Sequence, residues 1–261
     1  IYESCGTAKQ WRESVASLCA QQSRLMLALG ASFAAPLLQP AGQSGGGFHF
    51  VGESSTGKTT ALKVAASVWG GPSFSRTWRA TDNALEGVCS MHNDNLLPLD
   101  ELGQCPTVNR AVYMLADGEG KSRMTDTAKL RASKAWRVML LSTGEVSVNE
   151  KVRRETGRTA EAGQEVRIAS LPADAAKGCG LFDFVPEQFT DGSAFSDYLT
   201  ENAQQVTYGS VGAEWLQWLV DNRETLTDQI QAEKRGFMSS LSDQLEKSGG
   251  QHMRVAERFA L

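Results

Sequence analysis

Gly52, Gly57, Lys58 and Thr59 stand in the spacing Gly-x4-Gly-Lys-Thr, and Asp100 and Glu101 stand side by side further along the chain. The first set suits a polyphosphate. A glycine-rich turn aims backbone N–H groups inward, a helix begins behind it with its positive dipole end, and a lysine adds a point charge. On this reading Gly52, Glu53, Ser54, Ser55, Thr56, Gly57 and Thr60 wrap ATP, Lys58 reaches its β- and γ-phosphates, and Thr59 holds Mg²⁺. Asp100 would hold the same Mg²⁺ through water. Glu101 would orient or deprotonate the attacking water, the role that makes such a site an ATP hydrolase.

These groups need a scaffold, and the sequence around them supplies one. An apolar run, Phe48 to Val51, leads into the loop as a strand, and Ala61 to Val68 follows as a helix. Leu96-Leu97-Pro98-Leu99 reads as a buried parallel strand that delivers Asp100 and Glu101 to its C-terminal end, the edge at which open α/β sheets place ligands. Pro98 removes one ladder hydrogen bond there. Trp136 to Glu145 is a third apolar strand ending in hydroxyls, so that Ser142 or Thr143 would sense the γ-phosphate or the attacking water. Val166 to Pro172 is the last core strand. Arg167, at its start, is placed to act as a finger on a neighbouring subunit's γ-phosphate, with Arg153, Arg154 and Arg158 as a competing cluster.

The remaining segments read as follows. Residues 7 to 35 form two helices stopped by Pro36 and Pro40, with Ala41 to Gly47 a flexible lead-in. Phe74 to Ala80 is a strand, Thr81-Asp82-Asn83 caps a helix from Ala84 to about His92, and Thr107 to Ala116 is a helix. Lys121 to Thr125 and Leu130 to Lys134 form a β-hairpin with its tip at 126 to 129. Between Arg110 and Arg137 seven basic residues meet three acids, a local balance of +4 in a chain of net charge −4. That excess suits a phosphate backbone, with Lys121, Arg123, Lys129 and Arg131 as the contacts. From Asp191 onward the chain is helical and acidic, and the spacing of Trp215 and Trp218 places both in a core. The domain organisation is an N-terminal helical segment (1–40), an ATPase core (41–185) with the hairpin at about 119–137, and a C-terminal helical, lid-like region (186–261).

Composition narrows the class. At 261 residues with 41% hydrophobic and 21% charged residues, the chain is a globular protein large enough for a substantial core. Its acidity excludes a generally basic nucleic-acid coat, though not a local basic element. Five cysteines, odd in number and without a Cys-x-x-Cys pair, suggest neither a disulfide framework nor a zinc site and fit a reducing cytoplasm. No stretch reads as a signal peptide or a bilayer span. Opening at Ile1 and stopping within a helical segment, the chain reads as a piece of a longer protein.

The order of phosphate loop, acidic strand end, hairpin, sensor strand, late arginine and arginine-bearing terminal helix resembles AAA+ helicases with a pre-sensor hairpin, among them the MCM and superfamily 3 helicases. More closely, Phe48-His-Phe-Val-Gly-Glu-Ser-Ser-Thr-Gly-Lys-Thr-Thr-Ala-Leu, Trp78-Arg-Ala-Thr-Asp-Asn, Leu99-Asp-Glu-Leu-Gly-Gln, Tyr113-Met-Leu-Ala-Asp-Gly-Glu-Gly-Lys and Arg254-Val-Ala-Glu-Arg-Phe-Ala-Leu resemble the Cch-like helicase ATPases of bacterial mobile elements. That family is catalogued largely as a domain of unknown function and often found near primase modules. The resemblance implies an AAA+ P-loop fold and a homo-oligomeric ring, expected to be a hexamer, hydrolysing ATP between subunits. It further implies single-stranded or forked DNA as partner, a primase or other replication protein nearby, and no membrane. By motif match it gives Lys58 and Thr59 to Walker A, Asp100 and Glu101 to Walker B, Ser142 or Thr143 to sensor 1, Arg167 to the finger and Arg254 to sensor 2. Sensor 1 in that class is most often Asn, and the hydroxyl pair departs from it. A second reading of the same residues is an ATP-gated oligomeric switch that recruits a partner without translocating on DNA.

Overall fold

The computed structural model describes residues 1–120, 123–124, 130–131, 134–157, 167–242 and 250–261. Strands form at β1 (Gly46–Val51), β2 (Arg76–Thr77), β3 (Asn95–Asp100), β4 (Arg123–Met124), β5 (Leu130–Arg131), β6 (Val138–Gly144) and β7 (Ile168–Pro172). Five of them build one parallel sheet in the order β2-β3-β6-β1-β7, so the chain is an α/β protein with the P-loop NTPase architecture. β4 and β5 pair antiparallel, with Arg123 the register partner of Arg131, where the hairpin is read from sequence. Lys121, Lys129 and Arg158 lie outside the described residues.

Helices cover both faces of the sheet. They are α1 (Ala8–Trp11), α2 (Ser17–Cys19), α3 (Ser23–Ala34), α4 (Lys58–Ala66), α5 (Asp82–Met91), α6 (Val108–Asp117), α7 (Val148–Thr156), α8 (Gly192–Glu201), α9 (Ser210–Asp221), α10 (Arg223–Ser240) and α11 (Gly250–Phe259). Strand parity divides the core. Phe48, Phe50, Leu96, Met139 and Leu141 pack with α3, α4 and α8. Leu97, Leu99, Val138 and Leu140 pack with α5, α6 and α7. Because both faces are buried, the strands read as continuous apolar runs rather than alternating ones. Among the described residues no helix is long and apolar enough to cross a membrane.

The structure departs from the sequence reading in three places. Gly46 and Gly47 belong to β1, not to a flexible lead-in: their φ values are +152° and +159°, and a Cβ on Gly47 would lie 1.8 Å from the Leu140 carbonyl oxygen. Only glycine lets β1 pass so close to β6. The strand read over Phe74 to Ala80 shortens to β2, which pairs only with Leu99 and Asp100. Pro98 therefore sits in the part of β3 that β2 does not reach, which removes most of its cost. Trp218 is 45% exposed rather than core; it stacks at 5.1 Å on half-buried Trp215, while Val211 and Leu219 take the buried face of α9.

Candidate functional site

β1 hands the chain to the loop at the C-terminal edge of the sheet, and α4 starts with Gly57 as its N-cap at φ +91°. The glycine is required twice, by this left-handed backbone and by Leu181, whose Cβ would sit 3.0 Å from a Cβ at position 57. Leu181 N–H donates to the Thr56 carbonyl at 2.9 Å, fastening the loop from outside. Inside it, Lys58 Nζ donates to the carbonyls of Gly52 at 2.8 Å and Glu53 at 2.5 Å. Burial pulls the Lys58 ammonium below the usual lysine range, while Glu145, Asp100 and Glu101 pull it back up. An arriving phosphate would exchange these neutral acceptors for charged ones, which make stronger bonds to an ammonium.

The acids reach this loop by parity. Ser142 and Leu99 point to the α5–α7 face, and the next residues, Thr143 and Asp100, point to the face that carries α4. Thr59 Oγ1 accordingly donates to Asp100 Oδ2 at 3.0 Å, and Thr143 Oγ1 donates to Asp100 Oδ1. Thr143 Oγ1 also accepts from the Glu101 N–H at 3.1 Å. Glu101 itself adopts φ +60°, a left-handed conformation costing a non-glycine residue on the order of 1 kcal/mol, and its carboxylate accepts from Gln104 Nε2 at 2.7 Å. The left-handed turn directs the chain away at the sheet edge, so that adjacent carboxylates acquire separate positions.

Ser142 lies elsewhere. Fully buried, its hydroxyl accepts from Trp78 Nε1 at 2.8 Å and meets His49 Nδ1 at 2.9 Å. His49 Nε2 lies 3.0 Å from the Val146 carbonyl. A carbonyl only accepts, so Nε2 carries the proton, Nδ1 is the acceptor, and Ser142 donates to it. Burial drives the His49 pKa down to about 4, which keeps the ring neutral. This chain ties the loop after β6 to β1 from beneath, and of the two hydroxyls it is Thr143 that reaches the acids.

Arg167 precedes β7 at the opposite edge of the sheet from the phosphate loop, where its 39% exposed side chain donates to Asp117 Oδ1 at 2.7 Å. Beside it lies Arg258, whose Nη1 would be 2.2 Å from a Cβ on Gly46; burial and the neighbouring Arg167 charge lower its pKa to about 10. Arg254 shares α11 with Arg258. That helix packs Phe259 against Phe48 at 4.8 Å, and none of its described residues lines the cleft around the loop. Arg154, paired with Glu150, does line that cleft.

The cleft holds about 1000 Å³, and several residues in its wall had not been singled out in the sequence. Glu145 accepts from Ser54 Oγ at 2.8 Å and pins the loop to the end of β6; its position one residue past Thr143-Gly144 was the available signal. Lys151 on α7 donates to the Gly103 carbonyl at 3.1 Å. Residues between Gly178 and Ser196 line it as well, and no motif in the sequence marks them. Among the described residues no group of three or more His, Cys, Asp or Glu could hold a metal.

The profile of the family described as a domain of unknown function (DUF927) matches residues 1–135, a span that contains the phosphate loop and both acids. No curated protein matches the chain. Among solved structures, one titled "SCCmec type IV Cch - active helicase" superposes with a TM-score of 0.75 at 24% identity, over 100% of this chain and 46% of the other. The chain thus spans about half the length of that helicase, and what the likeness shows is the fold. With more than half of its length matched by the family profile, the chain belongs to the DUF927 family.

Proposed function

We propose that the protein is the ATPase core of a DNA helicase or translocase of a mobile-element or phage replication system, an AAA+ motor related to the MCM and superfamily 3 helicases. The observation that carries the reading is the hydrogen-bonded group Thr59, Asp100, Thr143 and Glu101 set beside Lys58 at the mouth of the loop. The fold likeness to an active helicase supports it.

The loop N–H groups and Lys58 hold the triphosphate, and Glu101, steered by Gln104, takes the proton of the attacking water as general base. Thr143 fixes the Asp100 carboxylate and the Glu101 backbone together. A hydroxyl and a single carboxylate are hard oxygen donors of the number Mg²⁺ accepts when phosphate and water complete its shell, so Thr59 and Asp100 fit that ion. When bound, it would neutralise charge on the phosphate oxygens. Arg167, remote from its own loop, serves a neighbour's γ-phosphate in a homo-oligomeric ring, a hexamer on this reading. Arg254, on α11, is the sensor 2 candidate. The hairpin bearing Lys121, Arg123, Lys129 and Arg131 grips single-stranded DNA, in a cytoplasmic setting.

ATP turnover with and without single-stranded DNA at low salt tests this. DNA should raise the rate, Glu101→Gln should abolish it, and mixing Arg167→Ala into wild type should inhibit beyond the mixing ratio. Turnover that is indifferent to DNA, in a preparation that hydrolyses ATP, would instead favour the partner-recruiting switch.

A further inference from the structure

No Asp, Glu, Lys or Arg occurs from Leu25 to Val51, so the outer face of α3 carries no charge beyond Arg24. On that face Met26, Gly30 and Phe33 follow one another at i, i+4 and i+7, opposite the buried Leu25, Ala28 and Ser32. Met26 is 55% exposed and Phe33 half-buried. A Cβ on Gly30 would meet nothing within 4 Å, so no neighbour in this chain requires a residue of such low helix propensity there. α9 extends the strip. Trp215 stands edge-on to Phe33 at 6.0 Å, and its Nε1 donates to the Phe33 carbonyl at 3.0 Å. Trp218 stacks on Trp215 with ring planes 8° apart, which fixes one face of Trp218 and turns the other outward.

Charge says what fits this strip. Glu214 and Asp221 lie at i−4 and i+3 from Trp218, on the same side of α9. From Ser210 to Ile230 four exposed acids, these two with Glu224 and Asp228, meet one base, Arg223. Glu214 already accepts from Arg12 Nη1 at 2.9 Å, so this flank takes a guanidinium. An aromatic face bracketed by carboxylates attracts a cation, whereas the same acids repel a nucleic-acid backbone and an anionic lipid surface. We propose that the strip from Met26 to Trp218 is a docking surface for a basic amphipathic helix of a partner protein. Its apolar side chains lie along Met26, Gly30 and Phe33, with the open position at Gly30 letting the two helices approach closely. A lysine or arginine of the partner covers the outer face of Trp218 between Glu214 and Asp221. None of these residues lines the cleft around the phosphate loop, so the docking surface is independent of the nucleotide reading.

Fluorescence anisotropy with a labelled synthetic helix of leucine and lysine, all leucines on one face and about five turns long, tests the assignment. The controls are a peptide of the same composition with its leucines dispersed and a leucine–glutamate helix. The leucine–lysine helix should bind saturably, and both controls about tenfold more weakly. Trp218→Ala and Gly30→Leu should each weaken it about tenfold and Asp221→Asn about threefold, with ATP turnover at the wild-type rate. Gly30→Leu raises helix propensity, so lost binding in a protein that melts no lower than wild type reports a filled surface and not an unfolded one. Equal binding of the dispersed peptide overturns the proposal, as does indifference to both Trp218→Ala and Gly30→Leu. So does a dimer in sedimentation that Trp218→Ala dissociates, which gives the face to a second copy of the chain. Binding to phosphatidylglycerol vesicles that the same variant loses gives it to a membrane and overturns the proposal equally.

Discussion

Replacing Ser142 and Thr143 one at a time separates the two hydroxyls that the sequence could not. Ser142→Ala leaves Trp78 Nε1 and His49 Nδ1, 2.8 and 2.9 Å from the lost oxygen, facing a methyl group in a dry interior. An orphaned buried polar group costs about 1–3 kcal/mol, so two of them give roughly 2–6 kcal/mol. In a chain of this size that lowers the melting midpoint by on the order of 10 °C. Hydrolysis measured well below the midpoint should remain near wild type, because Asp100, Glu101 and Thr59 keep their bonds. Thr143→Val does the opposite. It preserves shape but removes the donor to Asp100 and the acceptor for the Glu101 N–H, and the loss of one such preorganised contact lowers kcat by on the order of 100-fold. Thr143→Ser should restore most of that loss. The assays are thermal unfolding by circular dichroism and steady-state phosphate release on the same preparations. A Ser142→Ala protein that melts with the wild type yet fails to hydrolyse ATP would refute the assignment of Thr143 as the group that organises the acids.

Three other outcomes follow from the same structure. Glu101→Gln should bind ATP with near-normal affinity and turn it over 10²–10⁴-fold more slowly, whereas Lys58→Ala should lose affinity in equilibrium binding; weak binding by Glu101→Gln would show that the carboxylate positions the nucleotide and not the water. Acid should destabilise the fold through His49. Its folded pKa near 4 lies below the unfolded value of 6.5, so its contribution is intact above pH 6.5 and lost as pH falls toward 4, a swing of roughly 3 kcal/mol. His92, also lowered chiefly by burial, acts in the same direction; urea titrations at pH 7.5 and 5 on wild type and His49→Gln should give a smaller difference for the variant. Gly47→Ala puts a carbon 1.8 Å from a backbone oxygen and should yield no soluble folded protein, whereas Gly87→Ala, with open space around it, should fold as the wild type in expression and melting assays.

What the sequence disclosed and what it withheld divide along a physical line. The phosphate loop and the acid pair are contiguous, and backbone geometry over a few residues makes them recognisable without any knowledge of the rest. Thr81 and the left-handed C-cap at Gly118 are equally local. The choice between Ser142 and Thr143 depends on which face of β6 meets α4, and β6 is apolar on both faces, so its pattern carries no polarity. That ambiguity is the direct price of a sheet covered on both sides. The same burial hides Gly46 and Gly47: three consecutive glycines read as a flexible linker until the Leu140 backbone and the Arg258 guanidinium are found against them. Glu145, Lys151 and the wall from Gly178 to Ser196 come from separate stretches that meet only because β6, α7 and α8 converge at one edge of the sheet.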